Sequence, residues 1–105
     1  MFINLIKNIK ENNLNKNIIS QLIRSATSVG ANYCEANGSS SKKDFRNKIY
    51  ICKKEAKESK FWIEMLAEVE KDKKEELRKL WKEAHELTLI FSKISFTLNN
   101  LSSTC

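Results

Sequence analysis

Proline is absent from the 105 residues, and glycine occurs only twice, at Gly30 and Gly38. A β-sandwich or barrel turns the chain many times and spends both residues on its turns, so that class is excluded. With no glycine cluster, no loop can wrap a phosphate in the Rossmann or P-loop manner. Long apolar runs are missing, so no segment spans a bilayer and no membrane contact is expected. Met1 to Lys10 alternates Asn and Lys with Ile and Leu, which gives no signal-peptide core. His85 is the only histidine, so no triad or dyad with a second imidazole can be built. Glu83 and Glu86 flank it, but no metal-site spacing recurs elsewhere. No catalytic residue, metal site or cofactor is expected. Cys34, Cys52 and Cys105 are odd in number and never form a C-x-x-C pair. They read as reduced thiols of a cytoplasmic protein, with Cys34 and Cys52 as small buried apolar residues.

What the chain has in abundance is charge. Sixteen lysines and three arginines oppose 13 acidic residues, for a net charge of +6. That balance permits nucleic acid, an anionic membrane face or an acidic protein as partner, and selects none of them. A charged fraction of 30% beside 41% hydrophobic suits exposed amphipathic helices and argues against disorder. The length allows one domain, spanning residues 1–105.

Four helical segments follow from the apolar spacing. Phe2, Leu5, Ile6 and Ile9 fall at i, i+3, i+4, i+7 on a short first helix, which fails at Glu11-Asn12-Asn13. A second helix is predicted from about Asn17 to Asn37, with Ile19, Leu22, Ala26, Val29 and Tyr33 as its seam, widened by Ile23 and Gly30. Gly38 stands where a left-handed helix end would want it. Ser41 and Asp44 have capping-box spacing, and the third helix runs from there to about Glu70. Its seam is Phe45, Ile49, Cys52, Ala56, Ser59, Ile63 and Leu66. Asp72 with Glu75 repeats the cap spacing and opens a fourth helix. The seam there is Leu77, Leu80, Ala84, Leu87, Phe91, Ile94, Leu98 and Leu101. Two long heptad helices joined by a tight turn predict an all-α, antiparallel up-down four-helix bundle with a short first helix.

Three features lie off those seams. Ile51, Phe61, Leu89 and Phe96, flanked by Trp62 and Trp81, form an apolar surplus. Leu89 and Phe96 are seven apart on one outer face, as in a surface that meets another subunit. The third helix carries a basic stripe of Lys42, Arg46, Lys53, Lys57 and Lys60, with Tyr50 beside it, over roughly 27 Å at ~1.5 Å per residue. Such a stripe can track phosphates, and a tyrosine among lysines can stack on a base. The alternative is a solvated face partly neutralised by Glu55 and Glu58. The second helix carries a polar stripe of Gln21, Ser25, Ser28, Asn32 and Glu35, with Arg24 at its edge. Small hydroxyl residues let backbones approach, while Arg24 and Glu35, if buried, need partners from another helix or subunit.

The run Gln21-Leu22-Ile23-Arg24-Ser25, then Ser28-Val29-Gly30-Ala31-Asn32, Glu35-Ala36 and Ser41-Lys42-Lys43-Asp44-Phe45 resembles a known family. It is the four-helix-bundle family of proteins encoded in intervening sequences of bacterial 23S ribosomal RNA genes. The likeness continues through Lys54-Glu55-Ala56, Glu58 and Phe61-Trp62-Ile63-Glu64-Met65-Leu66. It is strong from Gln21 to Leu66 and holds for the fourth helix by pattern only. The sequence departs from the family at its start, where the first helix is shorter. The resemblance implies a homopentamer without enzymatic activity. It also implies a relation to the accessory protein of diversity-generating retroelements, which binds nucleic acid and a reverse transcriptase. The expectation is a cytoplasmic homo-oligomer that contacts RNA or DNA through its basic surface. The alternative is a protein-interaction scaffold, for instance for a reverse-transcriptase-like partner, with no nucleic-acid contact. Salt dependence separates the two.

Overall fold

The computed structural model describes residues 2–103, and side chains as far as Asn99; Leu101 of the predicted fourth seam and Cys105 lie outside that description. Four helices follow one another: α1 (Phe2–Lys7), α2 (Lys16–Asn37), α3 (Lys42–Val69) and α4 (Lys74–Ser103). A single 3₁₀ turn, Lys71–Lys73, separates the last two. No strand occurs among the described residues. The short connections return each long helix along the one before it, in a body of 52 × 20 × 20 Å. α3 lies in the middle and packs on α2 along one flank and on α4 along the other.

The strict heptads of α3 explain its central place. Ile49, Cys52, Ala56, Ser59, Ile63 and Leu66 are all buried, as the 3-4 spacing requires. Ser41 caps the helix, its side chain accepting from the Asp44 N–H at 3.0 Å. The core has two parts. One gathers Ile9, Ile19, Leu22, Ile63, Leu66, Leu77 and Ala84, with Phe2, Leu5 and Ile6 of α1 against it. The other gathers Ala36, Ile49, Cys52, Ala56 and Phe91.

Four expectations need correction. In α2 the buried face is rotated from the predicted seam: Ser25 is fully buried, whereas Tyr33 is 46% exposed and Ile23 and Gly30 face outward. Ser25 reaches the buried Ser59 hydroxyl at 2.8 Å, so two small polar side chains satisfy each other and let the helices close. Gly38 has φ −98°, an ordinary conformation, and ends α2 by donating its N–H to the Cys34 and Glu35 carbonyls. Cys34 is exposed; only Cys52 of the two is buried, and burial pushes its thiol upward in pKa. Asp72 lies within the 3₁₀ turn, so α4 begins two residues beyond the predicted cap.

The six-residue α1 covers only one end of the channel between α2 and α4. Beyond Phe2 that channel stays open, about 240 Å³ lined by Leu22, Ala26, Val29, Leu80, Ala84 and Leu87 among others. Leu87 is therefore 39% exposed although it keeps the seam's spacing.

Candidate nucleic-acid interface

Charge on α3 is sorted by flank. On the α2 side, Arg24 meets both Glu55, at 3.1 Å, and Glu58, and its Nε donates to Gln21. Glu58 also accepts from the Trp62 indole N–H at 2.9 Å. The Glu55 side chain is only 13% exposed against 46% for Arg24, so a half-open guanidinium covers a nearly closed carboxylate. Arg24 is exposed, so burial does not demand a partner, yet it pairs between helices of one chain. Glu35 pairs with Lys48 of α3 at 2.9 Å, and this contact holds the Lys48 ammonium above the ordinary 10.5 in pKa. Ser28 and Asn32 engage each other along α2: the Asn32 amide donates to the Ser28 carbonyl and hydroxyl.

The predicted basic stripe occupies the other flank. Lys42 and Lys57 are exposed, Arg46 and Lys53 half-buried, and Tyr50 is 63% exposed beside them. Glu55 and Glu58, the two carboxylates that could have neutralised the stripe, are turned away from it toward Arg24. Lys60 of the predicted set is drawn to α4. Its ammonium lies 3.0 Å from His85 Nδ1 and 5.0 Å from the Trp81 ring centre. An ammonium has only hydrogens to offer, so in this contact Nδ1 is the acceptor. Trp81 and His85 stack with centroids 5.1 Å apart and planes at 9°. The Trp81 indole N–H donates to Glu64 at 3.0 Å, which fixes the ring at the mouth of a groove.

That groove lies between the end of α3 and the start of α4 and encloses about 400 Å³. Ile63, Ala67 and Leu77 contribute its apolar lining, and Lys74, Arg78 and Lys82 of α4 its cations. Their spacing of four residues beside Trp81 is visible in the sequence, but they lie outside the seams and the stripe that periodicity picks out. Asn15, which is fully buried, lies outside them too. The Asn15 amide nitrogen donates to the Lys10 carbonyl and to Glu70, and its oxygen accepts from the Asn12 N–H. Nothing in hydropathy marks one buried asparagine among the eight residues of the asparagine-rich connection between α1 and α2.

Of the predicted apolar surplus, Phe61, Leu89 and Phe96 are 49%, 57% and 67% exposed. Ile51, Trp62 and Trp81 are half-buried. Among the described residues, no cluster of three His, Cys, Asp or Glu could hold a metal ion, and no helix is long and apolar enough to cross a membrane.

An elongated helical bundle with one charge-paired flank and one basic flank is the class of protein that these features define. The model of the 23S rRNA-intervening sequence protein family matches residues 2–93. The chain belongs to that family. It is also similar to a crystal structure of a protein of unknown function from the S23 ribosomal protein family of Bacteroides thetaiotaomicron. The two are 33% identical, with a TM-score of 0.77 over 89% of this chain and 86% of the other. No protein of curated function matches significantly.

Proposed function

We propose that this chain is a non-catalytic, self-associating bundle that binds RNA or DNA through the α4-side flank of α3, without strong sequence preference. The observation that carries the reading is the separation of charge. Glu55 and Glu58 are engaged by Arg24, so Lys42, Lys53 and Lys57 keep their positive potential for a partner. The stripe offers point charges at helical spacing and few side chains suited to base edges, which fits phosphate tracking rather than sequence readout. One subunit neutralises only a few phosphates, and an assembly multiplies the contacts. The exposed Leu89 and Phe96 support assembly, and the family resemblance favours five subunits.

The deciding experiment measures binding of RNA and DNA by fluorescence anisotropy over a salt series, with light scattering on the same samples. Phosphate contacts give a steep fall of affinity with salt and a mass several times 12.2 kDa. The triple variant Arg46→Glu, Lys53→Glu, Lys57→Glu should keep its helicity and mass and lose binding. A parent that binds neither polymer at low salt defeats the reading and leaves a protein-interaction scaffold.

A further inference from the structure

The groove between α3 and α4 differs in kind from the stripe, because it combines cations with an apolar recess. Lys74, Arg78 and Lys82 stand along one helix about 6 Å apart, by the 1.5 Å rise. Among the lining residues only Glu64 is acidic, and it is held by the Trp81 indole. Arg78 has only a loose, exposed contact with Glu75 at 3.9 Å. The recess takes something flat and apolar whose charge lies outside it. A lipid surface presents no such shape, since a concave site cannot enter a bilayer. Through Lys60, which touches both Trp81 and His85, the groove joins the basic stripe of α3.

We propose that the groove receives an unpaired nucleobase of single-stranded nucleic acid, with the adjoining phosphates along the Lys74, Arg78 and Lys82 row. The base lies on the apolar lining against Trp81, and the strand continues past Lys60 onto Lys57 and Lys53. A duplex keeps its bases stacked inside and cannot offer one to the recess, so the groove discriminates between strand classes while the stripe does not. The inference rests on the nucleic-acid reading of the stripe and adds the class of ligand.

Trp62 and Trp81 are the two tryptophans of the chain, so Trp62→Phe leaves Trp81 as the sole indole reporter. In that protein, oligouridylate should quench Trp81 emission and an RNA duplex of equal length should not. Anisotropy should show the single strand bound about tenfold more tightly than the duplex, as expected for one base–aromatic contact. The double variant Arg78→Ala, Lys82→Ala changes two exposed side chains; it should keep the parent's circular dichroism and lose that preference. If both polymers bind, Trp81 emission is unmoved and the double variant keeps the parent's preference, the groove assignment is wrong and the stripe reading stands. If neither polymer binds at low salt, the stripe reading falls and this inference falls with it.

Discussion

Along its α2 flank, α3 presents Glu55, Glu58 and Ser59, and each has a partner on α2: Arg24 for both carboxylates and Ser25 for the hydroxyl. Along its α4 flank it presents Lys53, Lys57 and Lys60, and only Lys60 is drawn to α4. The same helix therefore uses one set of charges to fix its own neighbours and holds the other set outward. A charge count taken over the whole helix hides this, because Glu55 and Glu58 cancel Lys53 and Lys57 in sequence but not in space. Polar groups on a closed flank contribute to stability; those on an open flank are left for association.

The comparison breaks most visibly if the flanks are altered separately. Reversing Arg46, Lys53 and Lys57 to Glu should weaken nucleic-acid binding by about a hundredfold or more at low salt. Neutralising the other flank with Glu55→Gln and Glu58→Gln should change binding less than about threefold, because those carboxylates point away from the ligand path. Equal losses from the two sets would mean that net charge, not its placement, governs binding.

Next in size is the stability of the closed flank. Arg24→Ala uncovers Glu55, whose side chain is mostly buried. The expected loss is ~2 kcal/mol, between an exposed pair and a broken buried one, read from urea unfolding midpoints. A smaller effect, about 1 kcal/mol, is expected for Ser25→Ala. Adding Ser59→Ala should cost less than the sum of the two single changes, since the partners are then removed together. Additive losses would show that the two hydroxyls do not act as a pair.

The smallest effect belongs to Lys48. Its pKa is raised by Glu35, so the stability from that pair is fully present below the unfolded value and is lost as pH rises through the higher folded one. Glu35→Gln should therefore flatten the melting-temperature profile only above about pH 10.5. A difference between the two profiles that changes between pH 7 and 9 would exclude the pair as its source.

The seams of α3 and α4 were legible because their heptads are strict and their buried residues mostly apolar. α2 was harder. Serine reads as a surface residue, yet Ser25 is buried because Ser59 stands opposite it, a fact about two helices that one helix's periodicity cannot carry. Tyr33 keeps the spacing of a core residue, yet it is half-exposed and meets Phe91 obliquely, at 6.2 Å between centroids. The stripe on α3 was legible as a set of positions. Its freedom from Glu55 and Glu58 was not, since that depends on which flank α2 occupies. The groove needed the α3–α4 register, which places Trp81 opposite Glu64.

Asn15 gives the bundle a property that no helix has by itself. Its amide joins the corner after α1 to Glu70, fifty-five residues further along the chain, where α3 ends. The segment from one to the other is thereby closed into a ring by a single side chain, with α2 and α3 as its two long sides. Neither the α1–α2 corner nor the α3–α4 corner can come loose without exposing an amide that has no access to water. The two turns at this end of the rod are fastened to each other, whereas at the far end Gly38 and Ser39 bond back onto the last turn of α2.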